Sequence, residues 1–112
     1  MKLIEDKLIL ISSSELLNYV NNFNGIILIN FFANWCKYCK NLEKTLNSID
    51  LSFSKIELVK VDVDKFSFIA KSSEFLVKTV PTIFIFKFGV LVSKIENSSI
   101  TRENLEKILN FD

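Results

Sequence analysis

The sequence predicts an α/β domain with a mixed sheet of about five strands and helices on both faces. Apolar runs of strand length alternate with stretches of helical periodicity in the first half, and this alternation requires parallel strands joined by right-handed crossovers. The three-residue link at 87–89 (KFG) joins the last two strands and is too short for anything but an antiparallel pair. At 112 residues and 49% hydrophobic content, residues 1–112 fit one domain with a full core.

The first half contains two predicted strands, each followed by a helix. Residues 8–11 (LILI) form the first strand. Ser12 stands three residues before Glu15, which is the spacing of a capping box at a helix start. Residues 26–33 (IILINFFA) are apolar throughout and predict a strand covered on both faces. The next helix carries one inward stripe, formed by Cys39, Leu42, Leu46 and Ile49.

The second half contains three further strands and two helices. Residues 56–64 (IELVKVDVD) alternate in polarity and predict the third strand, after which a short helix follows. Residues 79–86 (TVPTIFIF) predict the fourth strand, introduced by the only proline of the chain. Residues 90–95 predict the fifth strand, and Thr101 is placed to cap a final helix. The predicted order is βαβαβαββα, with about four helices.

Composition and charge argue against several classes of function. The chain has 14 basic and 13 acidic residues mixed along its length, so no basic tract predicts nucleic-acid binding. No apolar run approaches the roughly 18 residues of a membrane span, and the N-terminal run is too short for a signal peptide. We therefore expect a cytoplasmic monomer without membrane partners. The absence of histidine removes Ser-His and Cys-His catalysis, and a zinc site with only two cysteines would need two carboxylate ligands, which is an uncommon set.

The two cysteines, Cys36 and Cys39, lie where a buried strand ends and a helix begins. Reactive groups gather at the carboxyl ends of strands in open α/β sheets, and a helix N-terminus stabilises a thiolate. This placement lowers the pKa of the Cys36 thiol and makes Cys36 a nucleophile without any histidine. Cys39 lies on the inward stripe, so we expect it to be shielded while Cys36 is exposed. The spacing then lets Cys39 resolve a mixed disulfide formed at Cys36.

Three stretches, INFFANWCKYCK, VKVDVDK and TVPTIFIFKFG, resemble the thioredoxin family over essentially the whole chain. The resemblance implies the thioredoxin fold, whose order of elements is the one predicted above. It also implies a protein dithiol–disulfide oxidoreductase with a redox-active Cys36–Cys39 disulfide, no bound cofactor and no metal. Its implied partners are oxidised protein substrates and an NADPH-dependent thioredoxin reductase, which supplies the electrons.

The resemblance further implies a substrate-binding surface around the disulfide. Pro81 would follow a cis peptide bond, and Val80 before it would face the disulfide and hydrogen-bond an extended substrate segment. Glu96 and Asn97 stand where the family carries an apolar residue and a glycine that flatten this surface. The predicted substrate-binding residues are Trp35, Phe32, Val80, Pro81, Glu96 and Asn97.

Several residues depart from the family pattern, and we expect them to tune the redox chemistry. Lys37 and Tyr38 stand between the cysteines in place of Gly-Pro, and Lys37 adds a cation that favours a thiolate. Asn30 replaces a buried aspartate that helps to deprotonate the second cysteine, while Lys60 matches that aspartate's buried partner. Loss of the negative charge favours the dithiol form, so we predict a less reducing potential than is standard. Glu43, one helical turn past the second cysteine, is an alternative proton acceptor, although helix-face residues of this kind are usually solvated.

Other functions remain open at this stage. Tyr38 before the second cysteine is similar to the Cys-Pro-Tyr-Cys motif of glutaredoxins, which would make turnover depend on glutathione. Residues 35–44 are similar to the C-terminal domain of the transmembrane disulfide reductase, a relay-type enzyme. The fold can also serve as a non-catalytic interaction module, although such modules usually lose a cysteine.

Overall fold

A computed structural model of the protein describes residues 2–3, 12–49 and 56–110. The first predicted strand, residues 8–11, lies outside these residues. The strands are β1 (Lys2–Leu3), β2 (Ile26–Phe32), β3 (Ile56–Asp62), β4 (Thr82–Lys87) and β5 (Val90–Glu96). The helices are α1 (Ser13–Asn21), α2 (Lys37–Ser48), α3 (Ser67–Ala70) and α4 (Arg102–Asn110), with a 3₁₀ turn at Asn97–Ser99.

The strands form one mixed sheet in the order β1-β3-β2-β4-β5. Strand β3 runs parallel to β1 and β2, whereas β4 is antiparallel to both β2 and β5. Four strands of six or seven residues carry the sheet, and the two-residue β1 extends one edge. From α1 onward the described elements follow the predicted order, and the predicted α/β class is confirmed, whereas β1 was not predicted.

Helix caps follow the sequence signals. Ser12 is the N-cap of α1, and its hydroxyl accepts a hydrogen bond of 3.3 Å from the backbone N–H of Glu15. Thr101 does the same for α4, since its hydroxyl accepts from the N–H of Asn104 at 3.1 Å. Each cap satisfies an amide that the helix itself leaves unpaired, which fixes where the helix begins.

The β4–β5 turn is a two-residue loop anchored to the connection between α1 and β2. Phe88 and Gly89 both have positive φ, 50° and 85°, which suits the twist of a tight hairpin. A Cβ atom on Gly89 would lie 2.3 Å from the carbonyl oxygen of Asn21, so the position requires glycine. The N–H of Phe88 donates to the carbonyl of Gly25 at 2.8 Å.

Strand boundaries differ from the predictions by up to three residues. Strand β4 begins at Thr82 rather than at position 79, because Pro81 has no N–H to donate to a neighbouring strand. Strand β2 ends at Phe32 and β3 at Asp62, one and two residues before the predicted ends. The chain therefore leaves the sheet early at the edge where the cysteines follow.

The core has two parts, one on each face of the sheet. Helices α1 and α3 cover the face that contains Ile27, Ile29 and Phe31, and helices α2 and α4 cover the face that contains Leu28. On the first face, Phe31, Phe75 and Phe84 form a triad with ring centroids 5.3–5.5 Å apart. On the second face, α2 packs across β2 and β3, and it begins shortly after β2 ends.

Candidate redox site

Cys36 and Cys39 form a disulfide at the junction of β2 and α2, with their Cα atoms 5.3 Å apart. Cys36 is the N-cap of α2, and its sulfur accepts a hydrogen bond of 3.1 Å from the backbone N–H of Cys39. An amide N–H aimed at this sulfur stabilises a negative charge on it, as does the positive end of the helix. The predicted placement of the pair at a helix start is therefore confirmed.

The predicted difference in burial between the two cysteines is wrong for the disulfide form. Cys36 and Cys39 are 5% and 4% exposed, so both are buried. They pack in a cluster with Ala33, and the partly buried side chains that cover this cluster are Phe32, Val63 and Val80. Since both cysteines pack in the same cluster, exposure does not distinguish the two residues.

The segment before β4 approaches the disulfide as the resemblance implies. The Val80–Pro81 peptide bond is cis. The carbonyl oxygen of Val80 lies 3.9 Å from Sγ of Cys36. A disulfide sulfur has no proton to donate, so this is a van der Waals contact that could become a hydrogen bond once Cys36 is a thiol. The backbone of Val80 thus borders the reacting sulfur.

Trp35 is held beside the disulfide by a carboxylate that sequence reasoning missed. Its side chain is 72% exposed, and its indole N–H donates to Oδ2 of Asp64 at 3.0 Å. The neighbouring Asp62 accepts from the side-chain amide of Asn34 at 3.3 Å. Asp62 is the last residue of β3 and Asp64 lies two residues beyond it; β3 pairs in parallel with β2, so the two strand ends meet at one edge. In the sequence, the two aspartates of the alternating stretch VDVDK at the end of β3 were the available signal for carboxylates near the cysteines.

A groove of about 470 Å³ opens next to Trp35, between the start of α3 and the segment that precedes β4. Its wall combines apolar and polar side chains, among them Trp35, Val63, Ala70, Val77, Thr79 and Val80. Since Val80 borders both the groove and the disulfide, a chain segment lying in the groove would pass next to Cys36.

Asn97 meets a backbone requirement that explains the glycine of the family pattern. Its φ is 49°, in the left-handed region that glycine adopts freely and asparagine tolerates. Its N–H donates to the carbonyl of Pro81 at 3.0 Å, and its side-chain amide donates to the hydroxyl of Thr79 at 2.9 Å. Glu96 is exposed and pairs in register with Thr82. The surface beside Pro81 therefore carries a polar side chain where glycine would leave it open.

Asn30 and Lys60 are register partners on β2 and β3, so their side chains leave the sheet on the same face, below α2. Asn30 is 2% exposed, and its Oδ1 has no hydrogen-bond partner among the described residues. The Nζ of Lys60 lies 3.3 Å from Oε2 of Glu43 and 4.4 Å from the ring centroid of Phe32. The structure thus brings Asn30, Lys60 and Phe32 together beneath the helix that carries Cys39.

Lys37 and Tyr38 open α2 with both side chains in solvent, and Tyr38 is 75% exposed. Water screens the charge of a solvated lysine, so any support that Lys37 gives to a thiolate is weak. The tuning roles predicted for these two residues stay predictions.

The described residues contain neither a metal site nor a membrane-spanning helix. No group of three or more His, Cys, Asp or Glu side chains there could hold a metal ion. Within the same residues, no helix combines the length and the apolar character needed to cross a membrane.

The sequence model of the thioredoxin family matches residues 7–110 of this chain. A thioredoxin of Chlamydia caviae is 32% identical over 94 residues, which cover 80% of this chain and 89% of that protein. Thioredoxin 2 of Plasmodium berghei is 31% identical over 82% of this chain, but the match spans only 58% of that longer protein. The oxidised mitochondrial thioredoxin 3 of Saccharomyces cerevisiae superposes with a TM-score of 0.73 at 32% identity, covering 90% of this chain and 91% of that one.

Proposed function

This chain belongs to the thioredoxin family, and we propose that it reduces oxidised proteins as a dithiol–disulfide oxidoreductase. The fold is the thioredoxin fold, and the family together with the Cys36–Cys39 pair supports thiol–disulfide oxidoreductase activity. The observation that carries the proposal is the sulfur of Cys36, which caps α2 and accepts the N–H of Cys39. Such a sulfur is stabilised as a thiolate, the form that attacks a disulfide.

The reaction needs no bound cofactor, because the cysteine pair itself carries the two electrons. In the dithiol form, the Cys36 thiolate attacks a substrate disulfide, forms a mixed disulfide and releases one substrate thiolate, which takes a proton from water. The Cys39 thiol then loses its proton and attacks Cys36. This step closes the Cys36–Cys39 bond and releases the second substrate thiolate.

The substrate-binding role of the groove is part of the proposal. An extended substrate segment would lie along the backbone of Val80, with Trp35 on one side and Pro81 below it. The Asn97–Thr79 hydrogen bond places side-chain bulk at the rim of this surface. We therefore expect flexible, extended substrate segments to react faster than disulfides buried in rigid domains.

The electron donor, the compartment and the oligomeric state are likewise proposals. We propose that an NADPH-dependent thioredoxin reductase returns the disulfide to the dithiol, as happens for family members. A monomer in the cytoplasm suits this role, since that reducing compartment keeps thiols available.

Insulin reduction tests the proposed function. With dithiothreitol as donor, the protein should accelerate insulin reduction, and the same assay driven by NADPH and a thioredoxin reductase should proceed as well. Absence of both activities in a folded protein would contradict the proposal. Turnover that required glutathione would instead indicate the glutaredoxin-like alternative.

The reduction potential is expected to be less negative than that of a standard thioredoxin. Asn30 places no negative charge beneath the cysteines, and Lys37 adds a weak positive one, so both favour the dithiol form. We expect a value above about −270 mV, toward the range of about −230 to −200 mV. Equilibration with glutathione buffers measures it, and a result at or below about −270 mV would refute the expectation.

The Asn30→Asp variant should reduce disulfides several-fold faster at neutral pH. Asn30 is buried beneath α2 with an unsatisfied Oδ1, and a carboxylate there could take up the proton of Cys39. The rate of insulin reduction per molecule is the measurement, with thermal unfolding as a check on folding. An unchanged rate in a folded variant would count against the role assigned to position 30.

A further inference from the structure

Lys60 is a cation held below α2, and that helix supplies its counter-charge. Its side chain is 14% exposed, and its Nζ lies 3.3 Å from Oε2 of Glu43. On its other side the ring of Phe32 is 4.4 Å away. Its partner on β2, Asn30, is neutral and has an Oδ1 without a hydrogen-bond donor among the described residues. The acid of this inner pair therefore comes from the helix rather than from the sheet.

Glu43 also stands one helical turn beyond Cys39. Residues four apart on a helix share a face, with Cβ atoms about 5–6 Å apart, so a single water molecule can join the carboxylate to the sulfur. The Glu43 side chain is 45% exposed, and its ion pair with Lys60 places one carboxylate oxygen on the sheet side of α2, where Cys39 is buried. The hydrophobic side chains that pack with the two cysteines, Phe32, Ala33, Val63 and Val80, cannot take up a proton.

The other charged groups around the helix are engaged or solvated. From β3, Asp62 receives the side-chain amide of Asn34 and the backbone N–H groups of Asp64 and Lys65. From α4, Arg102 bonds Ser48 at the far end of α2. The three lysines of α2, Lys37, Lys40 and Lys44, are exposed. Glu43 and Lys60 are thus the charged pair best placed to act on Cys39.

We propose that Glu43, oriented by Lys60, accepts the proton of Cys39 through a water molecule during the resolving step. The inference rests on the proposed function. The Cys39 S–H gives its proton to the bridging water, which passes one to the Glu43 carboxylate. The Cys39 thiolate attacks Sγ of Cys36, the Cys36–Cys39 bond forms, the mixed disulfide breaks and the second substrate thiolate leaves. Glu43 then returns its proton to solvent, and Lys60 is a positioning residue.

The two steps can be timed separately with dithiobis-nitrobenzoate, a disulfide whose thiol product is coloured. Attack by Cys36 on this reagent releases the first coloured thiol, and resolution by Cys39 releases the second. In Glu43→Gln, we expect the second release to be slowed about a hundredfold at neutral pH, the lower end of the effect of a positioned general base. The deficit should shrink as the pH rises, because solvent hydroxide then removes the proton. The first release should be unchanged.

Two further variants make the test specific. Glu106→Gln is the matched control, since Glu106 forms a comparable ion pair with Arg102 on α4, away from the cysteines; it should leave both releases unchanged. Adding Asn30→Asp to Glu43→Gln should restore the second release by placing a carboxylate on the sheet side of Cys39. The inference is overturned if Glu43→Gln leaves the second release and its pH profile unchanged, or slows both releases equally. A wild-type protein that releases no coloured thiol would instead contradict the proposed function itself.

Discussion

The Cys36→Ser variant is expected to lose insulin reduction down to the background rate of dithiothreitol alone. Cys36 borders the Val80 backbone, and Val80 in turn lines the groove beside Trp35, so we expect Cys36 to be the sulfur that an incoming disulfide reaches. A serine hydroxyl is not ionised near neutral pH and cannot form a disulfide with the substrate. The measurement is the initial rate of insulin reduction, compared with the wild type at equal concentration.

The Cys39→Ser variant separates the roles of the two cysteines. It retains the attacking sulfur but cannot close the internal disulfide, so it should trap substrates as mixed disulfides that a reducing gel resolves. Both variants should fold, because a disulfide that closes so short a loop stabilises the chain little. Substantial insulin reduction by Cys36→Ser, or trapping by that variant instead of Cys39→Ser, would overturn the assignment.

The Phe31→Ala variant should lower the free energy of unfolding by about 3–5 kcal/mol. Phe31 is 0% exposed, and its ring centroid lies 5.5 Å from the ring centroids of both Phe75 and Phe84. Truncation of its side chain therefore leaves a cavity lined by aromatic rings. The loss is a large fraction of the total stability of about 5–15 kcal/mol that domains usually have. Thermal or denaturant unfolding followed by circular dichroism measures it.

Phe88→Ala is the control for this cavity. Phe88 is 69% exposed in the β4–β5 turn, so its truncation removes the same atoms with little loss of packing. It should change the unfolding free energy by less than about 1 kcal/mol. Equal effects of the two substitutions would show that the triad does not carry the stability assigned to it.

Much of the fold could be predicted because local signals agree with the tertiary structure. The apolar run at 26–32 is buried in the centre of the sheet, and the Ser12 and Thr101 caps begin their helices where the spacing indicates. The strand limits near Pro81 were less accurate. The missing N–H of Pro81 was a direct signal for the later start of β4, whereas the ends of β2 and β3 depend on which strand lies beside each residue.

The position of the cysteine pair could also be predicted, but its burial could not. The strand-to-helix junction is a local feature, whereas the burial of Cys36 depends on Val63 and Val80, which are distant in sequence. The same holds for the bond between Trp35 and Asp64 and for the ion pair between Lys60 and Glu43. Contacts of this kind depend on how strands and helices that are distant in sequence are placed against one another, and local sequence patterns do not specify that placement.

The β4–β5 turn is held against the end of α1 and the connection to β2, at the end of the sheet opposite the disulfide. Gly89 packs against the carbonyl of Asn21, and the N–H of Phe88 donates to the carbonyl of Gly25, the residue before β2. The disulfide follows the other end of β2. The seven residues of β2 separate the contact at Gly25 from the disulfide end of the sheet by roughly 20 Å. Local unfolding that admits solvent at the end of the sheet near the β4–β5 turn should therefore involve the β4–β5 hairpin and α1 together as one cooperative unit. The cysteine end can then change its bonding during each catalytic cycle while the opposite end of the sheet keeps its amide protons protected.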